Sequence, residues 1–408
     1  MRYTVVALSV ISIFQATFAQ SPYWQQTRLS AGLDVRSLAI SNTDKIFAAS
    51  EDSAIYRSTN GGGDWAQMSL GITYPSVYTL AAFPNGEILA GGLGVFRSTN
   101  EGQMWLPTGT LNAGVFSLAY TPSGTMFAGT GGGVYRSTDG SKTWAHASSG
   151  MSHPSSADVW SFVVNRSGVA FASANLDGVF RSTDNGDSWV AVDSGLTNAD
   201  VRALALDAAG NLFAGTTSGG AFRSADNGDS WWTVGLTTSN VTSVVVNTHG
   251  HIFAGTYGDG VFFSNDGGAI WSQINGGLTN VLIRALAIDS TGFIYAATDM
   301  GGVFKSILPT TYANTSRVGL ALSFALSQNY PNPFNPSTTI KFELPKSSQV
   351  VLTVFDILGR QVSVLVDDRR GAGVHVVKFD GSNLASGVYF YRIQAGDYVA
   401  SKKMLILK

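Results

Sequence analysis

Serine, aspartate and tryptophan recur together along this 408-residue chain at a spacing that could support chemistry. The fullest copy is Ser182, Asp184, Gly186 and Trp189, which reads S-x-D-x-G-x-x-W. Five more follow the same frame with changes: Ser58 with Asn60 and Trp65, Ser98 with Asn100 and Trp105, Ser137 with Asp139 and Trp144, Ser224 with Asp226 and Trp231, and Ser264 with Asp266 and Trp271. Two copies carry Asn for Asp, which keeps a carbonyl acceptor, and the third has Ser141 in place of Gly. A hydroxyl beside a carboxylate suggests nucleophilic catalysis, but an active site needs one asymmetric constellation, whereas a staple is needed in every repeat. The spacing suits a polar turn whose Ser and Asp bond its own backbone, with Gly at the bend and Trp packing behind it. Arg57, Arg97, Arg136, Arg181 and Arg223 each precede a turn serine and read as strand-flanking surface arginines.

Chemistry is better sought where the repeats differ. Two residues before the Leu-like position of each innermost strand stand Arg36, Tyr78, Phe116, Trp160, Arg202, Thr242 and Arg284. Gathered at one opening, three arginines and three aromatics could stack on a sugar and bind an anionic group by forked hydrogen bonds. The alternative is structural: these positions share side-chain parity with the following Leu, so the aromatics would pack between repeats and the arginines would snorkel to water. Nearby loops hold Glu51, Asp52, Asn175, Asp177, Tyr257, Asp259 and Asp299, which would supplement a site or solubilise the loops.

The elements that must position these residues come from a repeat of roughly forty residues, the mark of a propeller or solenoid. Each unit reads V-x-x-L-A, a turn, I-F-A-G-T, a turn, G-V-F-R-S and the Ser/Asp/Trp turn, which is four short strands. The first unit opens on a Trp strand, Tyr23 to Leu29, with no turn before it; the last ends at Ser306 with no Trp after it. Each end supplies what the other lacks. The expectation is an all-β chain: a seven-bladed β-propeller closed by its own terminal strands, followed by a small Ig-like antiparallel sandwich.

Composition agrees, with 47 Gly and only 13% charged residues. A net charge of -2 predicts no pull toward nucleic acid or anionic membrane. Cysteine is absent, so there is no disulfide framework or thiolate metal site, and His249 and His251 read as a solvated turn rather than a zinc site. No cofactor is expected. Residues 1–19 read as a signal peptide cleaved after Ala19: Arg2, an apolar run from Val5 to Phe14, then a small-residue end. The remaining bounds are 20–308 for the propeller, 309–328 for a linker and 329–408 for the last module, with no transmembrane segment.

The repeated turn resembles the Asp-box, or BNR, repeat of sialidases, sortilin-type receptors and photosystem assembly factors, which implies a propeller. The last module resembles the type A C-terminal sorting domain of type IX secretion cargo, on its PNPFNP opening, FDILGR segment, LASGVYFYRI strand and terminal KKMLILK. That resemblance implies a Bacteroidota-like source, the secretion translocon as partner of residues 329–408, and an extracellular or cell-surface destination. The propeller is then expected to be a non-enzymatic module that binds a glycan, polysaccharide or surface protein. The alternative is a carbohydrate-active hydrolase using Asp residues of the mouth face, such as Asp177 with Asp259. A glycosidase needs two carboxylates about 5 to 10 Å apart. The chain has only four Glu, of which Glu51 alone is expected on that face.

Overall fold

The computed structural model describes residues 23–310 and 324–407, except 30, 31, 53, 74, 75, 156, 330, 345–347 and 372. The expected signal peptide lies outside the described residues. The chain divides into two compact units, one ending and the other beginning near residue 320.

In the first unit the repeats fold as seven four-stranded antiparallel sheets. The second strand of each, such as Ile46–Ser50, is buried at every position, as a strand covered on both faces must be. The innermost strands, beginning with Val35–Ile40 and ending with Ile283–Ile288, each pack on the next, and the seventh packs on the first. The seventh sheet takes its outer strand from the chain start: Trp24 pairs with Ser306, Gln25 with Lys305 and Gln26 with Phe304. Termini thus close the ring, and no blade is left with a missing edge.

The repeated turn also joins the blades. In every copy the serine hydroxyl bonds the third residue's side chain, as Ser182 Oγ does Asp184 Oδ1 at 2.7 Å, and accepts the backbone N–H four residues on. Asn60 keeps this role without the charge. Its Oδ1 accepts from Ser58 Oγ at 3.1 Å and from the Asp64 backbone N–H at 2.8 Å, and its amide adds a bond to the Asp64 carboxylate at 2.9 Å that an aspartate could not donate.

Four of the six turn tryptophans reach back to a backbone carbonyl of the preceding blade. Trp105 Nε1 donates to Met68 O at 2.6 Å, Trp189 to Ala147 O at 2.8 Å, Trp231 to Val192 O at 2.7 Å and Trp271 to Val234 O at 2.7 Å. The other two pack as well but differ in where the indole N–H goes. Trp144 meets a side chain instead, the Thr108 hydroxyl at 3.3 Å, because Thr108 turns its oxygen toward it at the end of the preceding blade's outer strand. Trp65 has no acceptor among the described residues for its N–H and is held by packing alone, half-buried against the cluster that includes Leu29 and Val35. Its neighbour is the closing blade, whose outer strand comes from the chain start rather than from a preceding turn.

The arginines read as surface groups do more than flank. Arg136 donates to Asn185 O and Asp187 of the next blade's turn, and Arg181 does the same to Asn227 O and Asp229. They are latches between blades, placed there because the end of each third strand abuts the following turn. His249 and His251 sit in the turn between the first two strands of the sixth blade, where Asn247 Oδ1 accepts both of their backbone N–H groups.

The second unit is a sandwich of a three-stranded and a four-stranded antiparallel sheet. Ser337–Leu344 buries alternate residues, Ile340, Phe342 and Leu344, against Leu352, Tyr391 and Ile393. The Pro-rich opening runs beside the terminal strand, where Phe334 exchanges backbone bonds with Leu405 and Leu407. The linker bounds need correction. Thr310 N still bonds Gly292 O in the propeller, and Ala325–Leu326 already pairs with Glu343 and Phe342, because Leu326 belongs to the sandwich core.

Candidate functional site

The seven variable residues do come together at one end of the central channel. Strand antiparallelism places that end opposite the Ser/Asp/Trp turns, so Asn60, Trp65, Trp105, Trp144, Trp271 and the other turn residues stand away from it. What aims the variable residues is a register shift absent from the sequence pattern. In all seven sheets the pairing skips one residue, as where Val35 faces Ser50 but Ser37 faces Ala49, and the skipped residue is always the variable one. A bulge of this kind re-aims its side chain and breaks alternation, so shared parity with the following Leu is lost, although the aromatics do pack between neighbouring blades as the structural alternative expects.

The side chains then fill the mouth against one another. Tyr78 lies 5.8 Å from Phe116 between ring centroids, and Phe116 stacks on Trp160 at 4.6 Å. The guanidinium of Arg202 covers Trp160 at 4.5 Å, and that of Arg36 approaches Tyr78 at 6.0 Å. Trp160 is therefore covered on one side by an aromatic ring and on the other by a cation, while its indole N–H finds no acceptor among the described residues. Thr242 is spent on the channel wall, its hydroxyl donating to Ile283 O at 2.6 Å.

The arginines are likewise engaged. Arg36 pairs with Glu51 at 2.6 Å, Arg202 with Asp200 at 2.9 Å and Arg284 with Asp299 at 2.8 Å. Asp34 lies between Arg36 and Arg284, 3.5 Å from each. Burial, with a hydrogen bond to Glu51, pushes the Asp34 carboxyl up, and the Arg36 guanidinium and then Asp34 itself hold Glu51 down. Tyr257 donates to Asp299 at 2.6 Å beneath Arg284, and that bond raises its hydroxyl.

Sequence reasoning passes over Asp34 and Asp200, although each stands two residues before a ring arginine in a D-V-R triplet. Asp177 and Asp259 are not brought together as a pair. They occupy the fourth and sixth blades with the fifth between them, Asp177 held by His153 at 2.8 Å and Asp259 by Ser239 at 2.8 Å. No group of three His, Cys, Asp or Glu residues with metal-holding geometry occurs among the described residues. Two clefts of about 390 and 400 Å³ lie elsewhere, between neighbouring blades beside Arg136 and Asp187 and beside Arg97 and Lys142.

Exposed groups on the mouth face are of another kind. Leu93, Leu176 and Met300 occupy the connections between second and third strands of three blades, Leu176 at 72% and Met300 at 61% exposure. Leu176 and Met300 also hold φ of 61° and 58°, a left-handed conformation that side chains rarely adopt.

Residues 328–407 match the family described as the secretion system C-terminal sorting domain. The chain carries a type IX secretion signal. It is thus exported across the outer membrane to the cell surface or the extracellular space. No curated protein sequence matches it. Among solved structures it is similar to PorZ, described as an essential surface component of the type IX secretion system of Porphyromonas gingivalis, with a TM-score of 0.57 at 16% identity over 92% of this chain and 60% of PorZ. The extracellular domain of BT3049 from B. thetaiotaomicron gives 0.60 at 14% identity over 94% of this chain and 57% of that one. The chain thus spans three fifths or less of both. YCF48, solved bound to D1 peptide, gives 0.59 at 13% identity over 70% of this chain and 97% of its own. At these identities the likeness is one of fold, a β-propeller. Among the described residues no helix is long and apolar enough to cross a membrane.

Proposed function

We propose that this protein is an exported, non-enzymatic binding module whose propeller, of Asp-box type, recognises a protein partner through the loops around its channel mouth. The observation that carries this reading is the contrast at the mouth: the ring is filled by its own contacts, while apolar tips stand free around it. Sugar binding by stacking requires an open aromatic face. Trp160 offers neither side, with Phe116 on one and Arg202 on the other. An anionic glycan would have to displace carboxylates already paired with all three arginines. Exposed aliphatic side chains on otherwise polar loops fit burial against protein. The peptide held by YCF48 is a precedent within this fold.

Hydrolysis gains no support from Asp177 and Asp259, whose blades are not neighbours. The test is to offer the full chain a panel of neutral and anionic polysaccharides and to measure both binding and release of reducing sugar. We expect neither. Binding lost in a folded Trp160→Ala variant would restore the glycan reading, and hydrolysis lost on substituting a mouth-face Asp would make the protein an enzyme.

A further inference from the structure

The apolar tips stand in an acidic field that the chain's overall charge conceals. Between residues 23 and 310 there are 21 Asp and Glu against 13 Lys and Arg, while residues 324–408 hold six acidic and ten basic residues. The propeller is therefore at -8 and the sorting domain at +4. Most of the propeller's carboxylates lie away from the mouth, but beside basic residues, and five of its eight net negative charges fall at the mouth. The connections from second to third strand, with the residue just before each innermost strand, hold eight carboxylates and no Lys or Arg. Only the three ring arginines offset them, and each of those is already paired. Arg57, Arg97, Arg136, Arg181, Arg223 and Lys305 all lie toward the other end of their third strands.

We infer that the partner segment taken at the mouth is a basic, apolar polypeptide stretch, its Lys or Arg side chains set against Asp52 and Asp158 and its apolar ones against Leu93, Leu176 and Met300. This rests on the protein-binding reading and narrows it. Carboxylates ringing a low-dielectric opening focus a negative field that draws such a segment in and turns acidic ones away. The apolar tips supply the affinity that screened charges do not. Leu176 and Met300 hold a backbone conformation that Asn would adopt at lower cost, so an apolar side chain is kept there against local preference.

The test uses the full chain and three labelled synthetic peptides of about a dozen residues that share the same Leu and Phe positions and carry Lys, Gln or Glu between them. Fluorescence anisotropy should show the Lys peptide bound about tenfold or more tighter than the Gln peptide and the Glu peptide unbound. The preference should shrink several-fold as salt rises from about 50 to about 500 mM. Leu176→Asn with Met300→Asn keeps both turns and should weaken Lys-peptide binding about tenfold, whereas Met104→Asn with Ile270→Asn, on the opposite turns, should leave it unchanged. An unbound Lys peptide overturns the inference. Equal binding of Lys and Gln peptides, lost in the Leu176/Met300 variant, overturns the basic preference and leaves the mouth as the binding face. Binding that survives that variant and is lost in the Met104/Ile270 variant overturns both.

Discussion

Ser141 stands where the other turns have glycine, at φ of 66° and almost fully buried, with a hydroxyl that finds no partner among the described residues. Its backbone N–H still reaches Ser137 Oγ at 2.9 Å, so the turn forms, but under strain. Ser141→Gly should therefore stabilise the propeller by about 1 kcal/mol and raise Tm by about 2 °C in a thermal scan. No gain would mean that the serine hydroxyl is satisfied in solution. The turn aspartates make a second prediction. Asp139, Asp184 and Asp226 are held at about 2 by the neighbouring hydroxyls of Thr143, Ser188 and Ser230 and by backbone N–H groups. These values lie below the unfolded carboxyl value of about 3.9, so the stability they give is complete above about pH 4 and is lost as pH falls toward about 2. Chemical denaturation at a series of pH values should show that loss, and Asp184→Asn with Asp226→Asn should flatten it. An unchanged profile in the variant would assign acid sensitivity to other carboxyls.

At the scale of the strand, the latch from each third strand to the next turn is what links one blade's register to its neighbour's. Arg181 is three quarters covered and bonds both Asn227 O and Asp229, whereas Asp229 is largely exposed. Removing the arginine should cost about 1 kcal/mol, mostly through the carbonyl bond, and a double-mutant cycle with Asp229→Asn should give a coupling of only a few tenths to 1 kcal/mol. A coupling near zero would leave Arg181 acting through the carbonyl alone. This latch shows why parts of the fold are legible in the sequence and others are not. Four strands per repeat, the turn and the closing Trp24 strand all follow from local patterning and from an end that lacks what the other end has. Arg181 reads as a surface residue because its acceptors lie some 46 to 48 positions away, in the following repeat. The unlike end of Trp144 is hidden in the same way, since the acceptor of its indole belongs to the blade before it, and so is that of Trp65, whose indole N–H meets no acceptor among the described residues. Register hides the bulge for a related reason. It is set by the partner strand, so nothing in Val35-Arg36-Ser37 alone marks Arg36 as the residue left out of pairing. The ring positions are readable because they vary against a constant frame, but their mutual stacking depends on neighbours from different blades.

For the molecule as a whole, the separation of charge matters more than its sum. A net value of -2 suggests indifference to charged partners, yet it is what remains of a -8 propeller and a +4 sorting domain once Arg2 and Arg317, outside both, are added. The sorting domain accounts for where the protein goes, and we propose that the mouth face carries what it does there. The most direct test of that division is site-specific photo-crosslinking on the exporting cell, with the probe placed in turn at Leu176, Met300, Met104 and Ile270 of the full chain. All four positions are exposed, two at the mouth and two on the opposite turns. The account predicts a discrete protein adduct from the two mouth positions only, with a basic segment at the crosslinked site. Adducts from Met104 and Ile270 alone, or adducts to polysaccharide at the mouth, would contradict it.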